Sequence, residues 1–199
     1  MSPRPYDMGR RRESVDDTRA RILAAARDLL VAKGVVAVDA IARRADVSRA
    51  TIYYQFGTKI GLLEALCDEL AERGRMERLA EAFGQPDARE GLRILVEVIA
   101  DFWAVDRECT RRLRGLAALD PDVGQVIAAR DERRRNGAAV FATRLDAGPQ
   151  FGPILHTLTS FEVFDSLAAD RPIPEAAAEI LALLDAVLAT PLPPRHVQH

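Results

Sequence analysis

Between positions 49 and 59 the chain carries Arg49, Thr51, Tyr53, Tyr54, Gln55 and Lys59. The set comprises a guanidinium, an ammonium, three hydroxyls and an amide, with no nucleophile beside a base. These groups suit recognition better than turnover. A guanidinium or amide can pair with base edges in a duplex groove, arginine best with guanine, and ammonium and hydroxyl groups suit phosphate oxygens. The chemistry they predict is binding of double-stranded DNA, with Arg49 on a base edge and Lys59 on a phosphate. Thr51, Tyr53, Tyr54 and Gln55 would divide between the two.

Groups of this kind work only if something holds them outward. The stretch from Val36 to Lys59 reads as two short helices joined by a tight turn, the pattern of a helix-turn-helix. Val38 to Ala45 forms the first, with Ile41, Ala42 and Ala45 inward. Asp46 and Val47 make the turn, and Ser48 is a strong N-cap for the second helix, Arg49–Phe56. Ile52 and Phe56, four residues apart, share the face expected to enter the core. Thr58 caps a further helix. Lys59 in its first turn sets a cation where the helix dipole prefers an anion, a mild cost that a bound phosphate would offset.

Upstream, Asp16 or Asp17 is expected to cap a scaffold helix running to Lys33, with Ile22, Ala26, Leu29 and Leu30 at helical spacing and Gly34 as its stop. Residues 1–13 hold two prolines, a glycine and the cluster Arg10, Arg11 and Arg12. They read either as a solvated tail or as a basic arm that follows phosphates or enters the minor groove.

Charge is distributed in keeping with this. Residues 1–60 carry twelve Lys/Arg against seven Asp/Glu, a net of +5, and the remainder sixteen against twenty-three, a net of −7. A basic head on an acidic body implies that only the head meets a polyanion. Cys67 and Cys109 lack any CxxC or Cys/His spacing, which argues against a disulfide framework or zinc site. The N-terminal arginines are not followed by an apolar run of signal-peptide type, and no stretch approaches the ~18–20 apolar residues that span a bilayer. The expectation is a cytoplasmic protein with no membrane partner.

The rest reads as helices throughout. Leu62 to about Arg78 is a connecting helix, and Gly84 to Asp87 breaks the pattern. Further helices follow over Asp87–Ala104, Asp106–Leu119 and Pro121 to about Leu145, the last with Asp120 as cap and proline at its first position. Its run Arg130 to Arg135 mixes opposite charges and reads as a solvated face. After the Gly148–Pro153 loop come two strongly apolar helices, ILHTLTSFEVFDSLAAD and EAAAEILALLDAVLA. Their stripes exceed what a monomer buries, so Phe161, Phe164, Ile180, Leu183, Leu184 and Val187 are expected at a homodimer interface built as a four-helix bundle. Trp103, Leu113, Phe141, His156 and Thr159 are candidates for a pocket suited to a small apolar or aromatic effector. Plain core packing is the other reading of those five, and both stay open from sequence.

The stretch from Thr18 to about Leu70 resembles the DNA-binding domain of the TetR family of bacterial transcriptional regulators. The resemblance rests on ILAAARDLL, KG, V-x-x-IA-x-x-A-x-VS and T-x-YY-x-F-x-x-K-x-x-LL, in that order. It implies an all-α protein: an N-terminal three-helix helix-turn-helix domain and a C-terminal helical domain that binds ligand and pairs through its last two helices. It also implies a repressor released from DNA by a small molecule. In one respect the chain departs from the family. Only VVAVDA separates Gly34 from Ile41, and the usual Thr or Ser cap of the first motif helix falls to an alanine or valine. The expected organisation is a basic arm over 1–14, the helix-turn-helix domain over 15–60, a connecting helix over 61–86, a ligand-binding and dimerisation domain over 87–190, and a tail over 191–199. Two reading helices in one dimer would enter successive major grooves about 34–36 Å apart, calling for a palindromic operator.

Enzymatic signatures are missing: no Walker loop, no GxGxxG after a strand, no HExxH and no GxSxG. The chain is read as a non-enzyme without cofactor or metal. The alternative from another class is a helical ligand-binding or interaction protein whose head no longer binds DNA specifically, supported only by the shortened entry to the motif.

Overall fold

The computed structural model describes residues 8–190, with side chains from residue 15 onward. Every regular element among the described residues is helical. In chain order, α1 spans Met8–Lys33, α2 Val38–Arg44, α3 Arg49–Phe56 and α4 Lys59–Arg73. A 3-10 turn at Met76–Arg78 leads into α5, Leu79–Gly84, then α6, Ala88–Ala104, and α7, Arg107–Ala117. The chain closes with α8, Pro121–Arg144, α9, Phe151–Leu158, α10, Phe161–Leu167, and α11, Ile173–Ala189. The tail over 191–199, with His196 and His199, lies outside the described residues, as do residues 1–7 of the expected arm.

The chain divides into two compact units, Met1–Cys67 with Arg111–Val126, and Asp68–Thr110 with Ile127–His199. The first is built on apolar side chains at helical spacing: Ile22 and Leu30 of α1, Ile41 of α2, Ile52 of α3 and Leu62 of α4 are all fully buried. Burying each such side chain is worth about 1.5–3 kcal/mol, which fixes α3 from its inner side. The second unit has its own core, in which Leu95, Ile99 and Trp103 of α6 pack with Phe141 of α8, Leu155 of α9, Phe164 of α10 and Ile180 of α11.

Several boundaries differ from the sequence reading, each for a local reason. Helix α1 starts at Met8, so Arg10, Arg11 and Arg12 lie on its first turns rather than in an irregular arm. Asp16 and Asp17 are therefore interior to α1 and cap nothing. The connecting helix does not run to Arg78. It stops at Arg73, with Arg75 taking a left-handed φ of 55° that a right-handed helix cannot continue through; Gly74 between them is needed because a Cβ there would fall 2.8 Å from the Phe102 Cα. The apolar stretch after the loop is two helices, since the Ser160 hydroxyl accepts from the Val163 amide and starts α10 anew.

The residues expected at a dimer interface differ in their burial within the chain. Phe161, Phe164, Ile180 and Leu184 are buried within the second unit's own core. Val187 is partly buried against that core, and Leu183 alone of the six is exposed, at 44%. Periodicity had shown that these helices are apolar without showing which side chains the same chain would consume. No helix among the described residues is long and apolar enough to cross a membrane.

Candidate nucleic-acid interface

The first motif helix begins without a side-chain cap. Ala37 precedes α2 in extended conformation, and only its carbonyl takes part, accepting from the amides of Ala40 and Ile41. The turn after α2 passes through Asp46 at φ 52°, a left-handed position that aspartate tolerates better than most residues. Ser48 then caps α3 as its type and place require. Its Oγ accepts from the Thr51 amide at 3.0 Å and lies 2.9 Å from the Thr51 hydroxyl. Thr51 is thereby tied to the cap.

Two arginines of α1 support the reading element, and sequence reasoning had given them no such task. Arg21 donates to the Ala45 carbonyl at 3.4 Å, and Arg19 to the Gln55 carbonyl at 3.4 Å. The Arg19 guanidinium also lies 4.6 Å from the centre of the Phe56 ring. Phe56 is only partly buried, in contrast to Ile52, and this cation lies over its ring.

The outer face of α3 carries the side chains picked out by type. Arg49 is exposed, Tyr53 is 40% exposed and Tyr54 82% exposed. Thr51 and Gln55 are intermediate. An aromatic ring as exposed as that of Tyr54 buries little apolar surface in the fold. Arg49 has a carboxylate oxygen of Asp39 on α2 3.1 Å away and Tyr53 on its own helix nearby. The Tyr53 bond first, and the Asp39 charge second, hold its guanidinium above the ordinary arginine value. Asp39 escaped the sequence reading because nothing in the spacing of two short helices says which of their polar faces meet.

Lys59 has a different setting from the one expected. Its ammonium donates to Asp120 Oδ2 at 2.6 Å and lies 3.2 Å from Asp122 Oδ2. Burial opposes its charge, yet the hydrogen bonds to the two carboxylates outweigh burial and raise its pKa. The same ammonium holds the Asp120 carboxyl below its ordinary value. A phosphate reaching Lys59 would have to share or displace these partners. Nothing in the local sequence of Lys59 points to residues sixty positions away.

The candidate pocket residues fall in both units: Leu113 belongs to the first, and Trp103, Phe141, His156 and Thr159 to the second. Within the second, the Trp103 indole donates to the Thr159 carbonyl at 3.0 Å, and the Thr159 hydroxyl to the Leu155 carbonyl at 2.7 Å. Arg134 donates to the His156 carbonyl and, at 3.3 Å, to the Thr159 hydroxyl. The buried Nε2 of His156 has no hydrogen-bond partner among the described residues. Desolvation, then the nearby Arg134 and Arg135, lower the His156 pKa from 6.5, with Asp131 acting the other way.

A base whose folded pKa is depressed binds fewer protons folded than unfolded, so its contribution to stability is intact above about pH 6.5 and is lost as pH falls through that range. The urea midpoint is expected to drop between about pH 7.5 and about pH 5.5, and His156→Gln to flatten that drop. An equal drop in both proteins would show that His156 does not carry it.

A capped second helix turned outward with arginine, tyrosine and amide groups, on an otherwise helical chain, defines a helix-turn-helix element. Residues 22–66 match the model of the bacterial regulatory proteins of the tetR family. The HTH-type transcriptional regulator EthR of Mycobacterium tuberculosis is 28% identical over 187 residues, covering 84% of this chain and 85% of EthR. A TetR-like regulator from Rhodococcus sp. RHA1 superposes with a TM-score of 0.63 at 28% identity, over 86% of this chain and 96% of that one. NalD of Pseudomonas aeruginosa shares the fold at 19% identity, with a TM-score of 0.65 over 87% of this chain and 96% of its own. Residues 22–66 thus carry a DNA-binding domain of the tetR type, and over most of its length the chain is similar to TetR-family transcriptional regulators.

Proposed function

We propose that this regulator is a ligand-responsive repressor that binds a palindromic operator as a homodimer and leaves it on binding a small apolar or aromatic effector. The observation that carries the DNA half is the outer face of α3, where Arg49, Tyr53 and Tyr54 are exposed on a helix fixed from behind by Ile52. Arg49 reads a base edge, ideally guanine, and Thr51, Tyr53, Tyr54 and Gln55 supply phosphate and base-edge contacts. Lys59 contacts a phosphate, and Arg10, Arg11 and Arg12 at the start of α1 add charge alongside.

The effector reading is supported by a buried polar atom left open in the second unit, the unpartnered His156 Nε2. For dimerisation, the support is the outward side of α11, where Leu183 is exposed beside Ala178, Ala182 and Ala186. Small side chains let a second helix approach closely.

The test is footprinting and binding on DNA around the protein's own gene. Wild type is expected to protect a palindrome. Arg49→Ala should cost about 1–3 kcal/mol at one base position and relax preference there, whereas Lys59→Ala should weaken all sequences alike. Salt-sensitive binding without a protected site would overturn the proposal.

A further inference from the structure

We infer that Asp120 and Asp122 compete with DNA phosphate for the Lys59 ammonium, so that the start of α8 sets the affinity of the reading head. The inference rests on the reading of Lys59 as a phosphate contact and goes beyond it by naming what that contact must displace. Asp120 is not a loose surface carboxylate. One of its oxygens, Oδ1, accepts from the amides of Asp122 and Val123 at 3.1 and 3.4 Å and caps α8. The other, Oδ2, is thereby aimed at Lys59 Nζ, 2.6 Å away. Asp122 closes on the same ammonium from the first turn of α8 at 3.2 Å.

The side chains of Lys59 and Asp120 are only 25% and 21% exposed, which places the pair where water screens it less than an open surface pair. One ammonium against two carboxylates leaves this corner with a net charge of about −1, repulsive to phosphate. Converting both to amides would reverse the sign and free the lysine. Because Asp120 caps α8 and Asp122 lies in its first turn, any shift of that helix moves both carboxylates together.

Asparagine caps a helix about as well as aspartate, so Asp120→Asn with Asp122→Asn removes the charges and keeps the cap. Binding to the footprinted DNA and to a scrambled duplex would be measured across salt concentrations, with thermal melts to confirm folding. The double variant is expected to bind both duplexes about tenfold more tightly, with a salt slope steeper by about 0.9, one extra phosphate contact. Adding Lys59→Gln should abolish that gain. Asp122→Asn alone, which leaves the cap untouched, should show part of it even if the double variant folds poorly.

Wild-type affinity and slope in the amide variants would overturn the inference, as would a gain that survives Lys59→Gln. If instead wild type itself shows no specific footprint, the parent reading has failed, and the two failures are distinguishable.

Discussion

Gly61→Ala is expected to lower both the stability of the protein and its affinity for operator DNA, the latter by at least about tenfold. Helix propensity predicts the reverse, a gain of roughly 0.5–1 kcal/mol for alanine inside a helix. Geometry decides against propensity. A Cβ on Gly61 would stand 2.1 Å from the carbonyl oxygen of Phe56, the last residue of α3. That oxygen is backbone, so it can retreat only if the end of α3 or the start of α4 moves. Gly57, at φ 73°, and the Thr58 hydroxyl, which accepts from the Gly61 amide at 2.9 Å, hold that junction tight. The expected loss of stability is of order 1–3 kcal/mol. Thermal melts and operator titrations would read the two effects separately, and a variant that melts higher and binds normally would show that the junction has slack.

Phe141→Ala should be the most costly single truncation in the second unit. Its ring is fully buried, 5.2 Å between centroids from Phe83, with the Arg144 guanidinium 5.0 Å from its centre. Arg144 in turn donates to the carbonyls of Ala82, Phe83 and Gln85, so the ring holds an arginine that closes the end of α5. Phenylalanine-to-alanine changes at such sites cost about 3–5 kcal/mol, which corresponds to a fall in Tm of about 10 °C for a chain this long. The same variant separates the two readings of Phe141 that sequence left open. A large loss of stability marks a packing residue. A near-normal Tm with an altered effector response marks a pocket wall.

What was legible in the sequence was local. Ser48, Thr58 and Asp120 cap helices as their types and places indicated, since a cap depends on the next two or three amides and nothing further away. The missing cap at Ala37 could be read for the same reason. The residues offered for DNA contact could be chosen because α3 is short and its inward positions are few. Less accessible was everything that joins distant segments. Lys59 and Asp120 stand sixty-one positions apart, and Arg19 meets Gln55 across thirty-six. The start of α1 was hidden by Pro3, Pro5 and Gly9, which suggested an irregular arm although the helix takes hold from Met8. On α10 and α11 the apolar stripes were visible, yet only packing tells that Phe164 and Ile180 serve the chain's own core while Leu183 remains outside.

The pairing of Arg49 with Asp39 changes how any measurement on the reading helix should be understood. Both side chains are more than half exposed, 59% and 56%, so water screens the pair and the attraction itself is weak. Under the proposed role of Arg49, truncating it would do more than delete a base contact, for it would also leave the Asp39 carboxylate uncompensated on the DNA-facing side. The affinity lost in Arg49→Ala is therefore the sum of a missing attraction and an unmasked repulsion. Only a thermodynamic cycle that includes Asp39→Ala, alone and combined, separates the arginine's own share from that of the neighbour it had been neutralising.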